Sequence, residues 1–293
     1  MRSNKQTGQP GDNAIQTGNG SGLFEPAPTT TPAVVVTGGS KGIGRAIAKE
    51  FLVKGHSVVL VARNADRLEQ VAAELRDFLP ARRQLEVFAV DVTRDDSYAL
   101  LGQHLAERGL HTDVLVNNAG LGLGGPFFEQ SSDDLDRLIA LNVGALTRWT
   151  RLAMSEMIGR GRGHIINMAS LGGYAPGPNQ AAYYASKAYV ISLSEALSAE
   201  AVGTGVRVSV TAPGPVETGF HATMEADQSF YRYLVPSLSP ERVAKSVYGG
   251  YRFGSRVIIP GLINRLLSIF MRILPHPILV PLVGWLLAQR GRS

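Results

Sequence analysis

The stretch Ala33-Val34-Val35-Val36-Thr37-Gly38-Gly39-Ser40-Lys41-Gly42-Ile43-Gly44 joins an apolar strand to a glycine-rich turn. Three of its glycines follow a Gly-x-x-x-Gly-x-Gly pattern, and a helical pattern begins at Ile43. A strand, a glycine turn and a helix in succession bring backbone N–H groups to a helix N-terminus, where they can bind a pyrophosphate. The lysine-serine ending of a Walker loop is missing, which disfavours phosphoryl transfer. The stretch predicts a dinucleotide-binding turn, with a purely structural turn as the alternative.

Strand and helix patterns alternate beyond this turn. The predicted strands are 57–62, 85–91, 114–117, 165–168, 207–212 and 256–260, and the predicted helices are 43–53, one from about 66, 95–107, 132–157 and one around Tyr183. Strands separated by helices require right-handed crossovers and form a parallel sheet covered on both faces. We therefore expect an α/β protein with a Rossmann-type doubly wound parallel sheet of about seven strands, in a single domain over 33–260.

The composition of the 293 residues, 44% hydrophobic and 18% charged, is typical of a globular protein. The absence of cysteine excludes disulfides, thiolate metal sites and a catalytic thiol. Six scattered histidines suggest no metal site. Residues 1–32 are polar and have no apolar core of a signal peptide. They predict a disordered tail without a secretory signal, in a protein expected to be cytoplasmic with membrane association as an open alternative.

Three polar residues further along the chain suggest acid–base chemistry. Tyr183 and Lys187 are four residues apart, so one face of a helix brings them together, and Ser170 follows the apolar run 164–169 of a predicted buried strand. A neighbouring cation favours the phenolate, so we expect Lys187 to lower the pKa of Tyr183 from about 10. Tyr183 could then exchange a proton with a substrate oxygen held by Ser170. The alternative is an ordinary amphipathic helix residue, but the glycine turn upstream favours catalysis.

The residues expected near the adenosine ribose of a bound dinucleotide include cations. Where an NAD-binding fold usually places an acid, about 20 residues after the turn, this chain has Arg63 and Asn64. Lys41 within the turn adds a second positive charge, and two cations suit a 2′-phosphate. NADP(H) is therefore the predicted cofactor, unless Arg63 only pairs with Asp66 on the surface. Asp91 is expected to accept a hydrogen bond from the adenine amino group.

These motifs, in this order over about 33–260, resemble the classical short-chain dehydrogenase/reductase family. The resemblance extends to Asn117-Asn118-Ala119-Gly120, to Asn142 and to Pro213-Gly214-Pro215-Val216-Glu217-Thr218. It implies a catalytic set of Asn142, Ser170, Tyr183 and Lys187 and no metal. The predicted cofactor contacts are Gly38, Ser40, Lys41, Gly42, Ile43, Gly44, Arg63, Asn64, Asp91, Val92, Asn118, Ala119, Gly120, Tyr183, Lys187, Pro213, Gly214, Val216 and Thr218.

The family's mechanism is hydride transfer between nicotinamide C4 and a carbonyl carbon. By this likeness Tyr183 exchanges the proton, Lys187 also holds the nicotinamide ribose, Ser170 polarises the carbonyl and Asn142 anchors a water in the proton relay. Tyr184 is adjacent, but only Tyr183 has the four-residue spacing to Lys187. The likeness also implies a homodimer or homotetramer that pairs through the helices of Asn142 and Tyr183.

The chain end, 261–293, has the composition of a basic amphipathic extension. No acidic residue follows Glu241, whereas eight basic ones do. In 262–274, Arg265, Ser268 and Arg272 recur at helical spacing among aliphatic residues, and 278–287 is an apolar run too short to span a membrane and interrupted by Pro281. A substrate lid or subunit contact, an interfacial anchor on anionic lipid, and simple completion of the fold remain open. Basic residues among aliphatics do not favour nucleic acid.

We therefore predict an NADPH-dependent carbonyl reductase, or the reverse alcohol dehydrogenase, acting on a small or lipophilic molecule. The segment 217–240, with several aromatic residues, is expected to cover the substrate as a mobile loop. An NAD-linked dehydrogenase and a non-catalytic NADP(H)-binding scaffold at a membrane are the alternatives. The intact set of Asn142, Ser170, Tyr183 and Lys187 argues against a scaffold.

Overall fold

The computed structural model describes residues 30–218 and 236–288. A sheet of seven parallel strands has the order β3-β2-β1-β4-β5-β6-β7. The strands are β1 Thr31–Thr37, β2 Ser57–Ala62, β3 Leu85–Ala89, β4 Leu110–Asn117, β5 Gly163–Met168, β6 Val206–Thr211 and β7 Val257–Ile258. The expected Rossmann-type doubly wound sheet of about seven strands is confirmed. The strand order reverses between β1 and β4, so their carboxyl ends open a crevice.

Helices cover both faces of the sheet. They are α1 Gly42–Val53, α2 Ala65–Arg76, α3 Ser97–Glu107, α4 Ser132–Ile139, α5 Leu146–Gly159, α6 Ala181–Glu200, α7 Pro240–Phe253, α8 Leu262–Ile273 and α9 His276–Leu287, with short 3-10 turns at Phe127–Glu129 and Leu171–Tyr174. The inner strands are buried on both faces, while the edge strand β3 is partly exposed, and two large apolar clusters lie on opposite sides of the sheet. This double burial explains why the strands are continuous apolar runs.

Capping residues set several helix starts. The Asn64 side chain accepts from the Arg67 N–H, Ser131 accepts from Asp134 N–H, and Ser239 accepts from Arg242 N–H. Each satisfies a backbone donor that has no partner within its helix.

The predicted long helix 132–157 is interrupted, which the sequence pattern did not reveal. A π-helical segment, Ala140–Ala145, separates α4 from α5, which ends at Gly159. The segment contains Asn142, which is buried and bonded to backbone and side-chain partners outside it. Such a widened turn inside a helix is frequent at functional sites.

Several predicted ends were wrong because tertiary pairing decides them. β1 begins at Thr31, inside the predicted tail, because Thr31 and Pro32 pair with the first residues of β4, which itself begins four residues earlier than predicted. β3 ends before Asp91, whose carboxylate accepts from Thr93 and turns the chain away. Residues 1–29 of the predicted tail lie outside the described residues.

The C-terminal extension forms two helices. Pro281 does not interrupt the second, because α9 continues through it. The carbonyl that loses its N–H partner belongs to Pro277, and both prolines are exposed, so water can replace the missing donor. No helix of the described ranges is long and apolar enough to cross a bilayer.

His164 on β5 is a buried titratable group away from the crevice. Its Nε2 lies 2.7 Å from Ser209 Oγ, and Ser209 donates to the Ser255 carbonyl, so His164 is the donor between them. Burial, with a smaller contribution from Arg207, lowers the pKa of His164 to about 4.

We expect His164 to make the folded state sensitive to acid. Because its pKa is lowered on folding, the unfolded chain binds more protons as the pH falls from about 6.5 to about 4, and stability declines over that window. The decline attributable to His164 should approach about 3 kcal/mol. Denaturant unfolding of wild type and His164→Gln at about pH 7 and about pH 4 measures it, since the variant should lose less stability by that amount. An equal loss in both proteins would contradict the assignment.

Candidate active site

The glycine turn lies between β1 and α1 at the crevice. Gly38 and Gly42 have φ of 67° and 52°, a region that favours glycine. A methyl group on Gly44 would lie 2.3 Å from the Gly38 oxygen and 2.5 Å from Asn118 Nδ2. The turn therefore has room for backbone only, and the α1 N-terminus behind it suits an anionic ligand.

Thr37 connects the two strands that border the crevice, a role that sequence reasoning missed. Its hydroxyl accepts from the backbone N–H of Asn118 at 2.9 Å and of Ala119 at 3.0 Å. In return, Asn118 Nδ2 donates to the Thr37 carbonyl at 3.0 Å. A hydroxyl at the end of an apolar strand was the available signal.

A cavity of about 620 Å³ opens at this edge of the sheet. It brings together residues from the glycine turn, the β4 end, the β5 end, α6 and the segment after β6. The predicted residues in its wall are Gly38, Lys41, Gly42, Ile43, Asn118, Ala119, Gly120, Ser170, Tyr183, Lys187, Pro213, Gly214, Val216 and Thr218. Residues 219–235 of the predicted covering loop lie outside the described residues. Near its two ends, the Glu217 N–H donates to the Leu238 carbonyl at 2.9 Å.

Tyr183 and Lys187 on α6 meet Ser170 inside this cavity. Tyr183 shares a hydrogen bond with the Ser170 side chain. The Lys187 ammonium lies 5.8 Å from the centre of the Tyr183 ring and donates to the Met168 carbonyl at 3.0 Å. Both Tyr183 and Lys187 are almost completely buried.

Burial dominates the protonation of this pair. It raises the pKa of Tyr183 to about 12, against a smaller lowering by the hydrogen bond with Ser170, and it lowers the pKa of Lys187 to about 8. The predicted lowering of the tyrosine pKa is therefore not what the structure shows, because burial removes the phenolate from water and this is the largest cause of the pKa shift. Tyr183 is a neutral phenol at neutral pH and thus a proton donor.

Asn142 lies behind the cavity wall rather than in it. Its amide exchanges two hydrogen bonds of 2.8 Å with the backbone of Leu121 and donates to Ser186 Oγ on α6 at 3.1 Å. A methyl on Gly120 would lie 3.3 Å from Asn142 Oδ1 and 3.6 Å from Lys187 Nζ. Asn142 thus couples the loop after β4 to the helix that carries Tyr183.

A second, polar pocket adjoins the glycine turn. Ser40, Lys41, Asn64 and Arg67 line it, together with Arg45, whose guanidinium is paired with Glu74. Arg67 also lines the main cavity. Sequence reasoning missed Arg67, although its position in the first turn of α2, four residues after Arg63, was the available signal.

Arg63 does not line either pocket, and it does not pair with Asp66. Its side chain is 74% exposed, and Nη1 lies 3.9 Å from the carboxylate of Asp91. Burial opposes ionisation of Asp91, but hydrogen bonds from Thr93 and nearby arginines lower its pKa overall. Val92 next to it is buried in the apolar core. The predicted cofactor contacts Arg63, Asp91 and Val92 thus line neither of these two pockets.

The C-terminal helix α9 closes the apolar side of the site. Leu279, Val283 and Leu287 pack in one cluster with Tyr183 and Tyr184. Leu287 and Tyr184 also line the cavity, which no sequence motif indicated. The extension is therefore part of the site's wall.

Comparisons with known proteins identify the family of this chain. The model of the family described as short chain dehydrogenase matches residues 32–229. The chain is 37% identical over 214 residues to nodulation protein G of Rhizobium sp. (strain N33), covering 73% of this chain and 84% of that protein. It is 36% identical over 188 residues to the very-long-chain 3-oxoacyl-CoA reductase of Bos taurus, covering 63% of this chain and 59% of that protein.

Solved structures are also similar. A short-chain dehydrogenase from Sphingobium yanoikuyae in complex with NADPH has a TM-score of 0.70 and 30% identity, over 83% of this chain and 96% of that one. The bulky-bulky ketone specific alcohol dehydrogenase from Comamonas testosteroni has a TM-score of 0.67 and 28% identity, over 84% and 96%. Fold, site geometry and family match coincide: the chain belongs to the short-chain dehydrogenase/reductase family and is an oxidoreductase of that family.

Proposed function

We propose that this protein is an NADPH-dependent carbonyl reductase, working in reverse as an alcohol dehydrogenase, on a lipophilic ketone or secondary alcohol. The observation that supports it most directly is the Tyr183 hydroxyl, hydrogen-bonded to Ser170 beside Lys187, in the same cavity as the glycine turn. The NADPH complex of the Sphingobium relative and the ketone specificity of the Comamonas relative agree with this proposal.

The residues of the cavity fit a dinucleotide. The glycine turn and the α1 N-terminus would hold the pyrophosphate, and Asn118, Ala119 and Gly120 would border the adenosine side. The segment that holds Pro213, Gly214, Val216 and Thr218 would border the nicotinamide. The cofactor supplies the hydride that is exchanged with the substrate carbon.

Residues of the chain would bind the substrate oxygen and exchange a proton with it. Ser170 and Tyr183 hydroxyls would donate hydrogen bonds to it, polarising the carbonyl. Tyr183, a neutral phenol with a pKa of about 12, would transfer its proton, and the Lys187 charge would stabilise the phenolate left behind. Asn142 would hold Leu121 and Ser186 and anchor a water for proton return. For the alcohol, the proton moves in the opposite direction.

NADPH preference rests on the polar pocket beside the turn. Lys41 and Arg67 lie on its wall, where a 2′-phosphate would extend from the adenosine ribose. Arg63 contributes through longer-range attraction, since its guanidinium already faces Asp91. An acid that would favour free ribose hydroxyls is missing at positions 63 and 64.

The apolar part of the cavity lining supports a lipophilic substrate. Tyr184, Val216 and Leu287 are in the cavity lining, and apolar walls of this kind favour apolar ligands. The experiment is calorimetric titration of the purified protein with NADPH and NADH, followed by a turnover screen of lipophilic ketones with the preferred cofactor. NADPH binding without turnover of any ketone would favour the non-catalytic scaffold, and preference for NADH would favour an NAD-linked dehydrogenase.

Arg67→Gln is expected to weaken NADPH binding about tenfold and NADH binding little, because one charge-assisted hydrogen bond to phosphate is lost. Calorimetric titration of the variant with NADPH and with NADH measures the two changes in affinity. Arg76→Gln, at the opposite end of the same helix, is the matched control and should change neither affinity. Equal losses for both cofactors in Arg67→Gln would exclude phosphate recognition by this residue.

A further inference from the structure

Helix α8 turns an apolar face towards solvent. Six large apolar side chains on it are exposed: Leu262, Ile263, Leu266, Ile269, Phe270 and Ile273. At 100° per residue they fall on one continuous arc of the helix. Single exposed apolar residues are ordinary, but a contiguous apolar patch commonly marks an interaction surface.

The inner face of α8 is partly polar. Asn264 and Ser268 are buried, with Asn264 Nδ2 donating to the Pro260 carbonyl and Ser268 donating to the Arg265 carbonyl. Asn264 also packs against Gly214 of the cavity wall. These two hydrogen bonds are local to the helix and its first turn, while Met271 and Leu274 pack against the apolar cluster that contains Leu279 and Val283. The helix thus buries a mixed polar and apolar side and leaves its six-residue apolar arc outside.

Arginines border one edge of this arc. Arg265 and Arg272 are seven residues apart and therefore lie on the same side of α8. Arg265 is exposed, with Nε donating to the Ile259 carbonyl, while Arg272 pairs with Glu195 and lies over the Tyr174 ring. The chain after Glu241 contains eight basic and no acidic residues.

Helix α9 has exposed apolar residues as well. Ile278, Leu282 and Trp285 recur at helical spacing on its outer side and are exposed. We call these nine outward residues of α8 and α9 the outer apolar surface. The opposite side of α9 belongs to the apolar cluster that contains Tyr183 and Tyr184. One side of this helix is therefore near the candidate site, and its other side is exposed.

We propose that the outer apolar surface docks on a membrane surface that contains anionic lipid. An apolar helical arc edged by arginine, on a helix that has no carboxylate of its own, is the pattern of an interfacial helix, whose apolar face enters the lipid boundary while a cation such as Arg265 meets headgroup phosphates. Long arginine side chains can extend from the arc edge to that level.

A second copy of the chain fits this surface less well. A twofold contact sets a patch against itself, and none of the nine residues of the outer apolar surface supplies a carboxylate that could pair with Arg265 of the second copy. The pairing surface implied by the family likeness also lies elsewhere, on α4, α5 and α6. For the proposed reductase, docking here would bring membrane lipids close to the wall formed by Leu287, and this consequence alone rests on the proposed function.

The test is co-sedimentation of the full chain with vesicles of phosphatidylcholine alone and with about 30% phosphatidylserine. We expect binding to the anionic vesicles, little binding to phosphatidylcholine, and weakening as salt is raised. No binding to anionic vesicles at low salt would overturn the proposal. Because sedimentation measures no turnover, its result is independent of the proposed function.

Leu266→Glu is the decisive variant, and Val202→Glu is its control. Both positions are exposed, at 60% and 69%, and both changes add one negative charge, but Val202 follows α6, outside the outer apolar surface. Leu266→Glu should weaken binding at least about tenfold and Val202→Glu much less. Leu266→Gln should also weaken it, which separates apolar contact from charge. Arg265→Gln should reduce the preference for phosphatidylserine.

Thermal unfolding of each variant checks that the fold is retained, and light scattering gives the oligomeric state. An equal loss of vesicle binding in Leu266→Glu and Val202→Glu would show that only the net charge of the protein matters, and it would overturn the proposed docking surface. Failure of the wild type to bind vesicles, together with dissociation of an oligomer by Leu266→Glu, would instead assign the surface to a second copy of the chain.

Discussion

Tyr183→Phe is expected to lower kcat for ketone reduction about a thousandfold, within the range that positioned acid–base groups contribute. The substitution removes the hydroxyl that faces Ser170 but keeps the ring that packs with Tyr184, Leu279 and Val283. NADPH affinity by calorimetry should therefore stay nearly unchanged. Steady-state kinetics with the best ketone from the screen gives the loss.

Tyr184→Phe is the matched control for this prediction. Tyr184 is the adjacent buried tyrosine, its pKa is also raised by burial, and its ring packs on Gly172 and Gly177. We expect its loss to change kcat less than about tenfold. If Tyr183→Phe remained active while Tyr184→Phe did not, the proton donor would be Tyr184. Loss of NADPH binding in Tyr183→Phe would instead mean that the substitution disturbs the site as a whole.

Gly44→Ala is expected to raise the NADPH dissociation constant at least about a hundredfold. The new methyl would overlap the Gly38 carbonyl at 2.3 Å, and that atom belongs to the backbone and cannot rotate away. The turn must then open, which separates its N–H groups from the position where a pyrophosphate would bind. Calorimetry with NADPH measures the effect, and thermal unfolding measures the accompanying loss of stability.

Gly159→Ala provides the control, since this glycine ends α5, has ordinary backbone angles and meets no atom within 4 Å of an added methyl. It should leave NADPH binding unchanged and slightly raise stability, as alanine is the better helix former. Unchanged binding in Gly44→Ala would show that the turn tolerates displacement and that its glycines serve packing alone.

Some parts of the candidate active site can be predicted from local spacing in the sequence, and others cannot. The glycine turn and the pair of Tyr183 and Lys187 each lie within one short segment, whose backbone geometry sets their positions. The role of Asn142 is different, because its partners Leu121 and Ser186 come from distant segments and the π-helical segment around it has no marked signal in the pattern. The predicted direction of the Tyr183 pKa shift was wrong for the same reason. The shift comes mainly from burial, and burial depends on all the residues from distant segments that pack around the ring.

The sequence by itself determined the parallel α/β fold, the dinucleotide turn and the catalytic candidates, because these depend on hydrophobic periodicity and on spacings of a few residues. Only the tertiary structure decided that Arg67 lines the polar pocket while Arg63 faces Asp91, and that α9 walls the cavity. It also decided that α8 turns its apolar arc outward. Periodicity identifies an amphipathic helix, but which face is buried depends on the packing partners that distant parts of the chain supply.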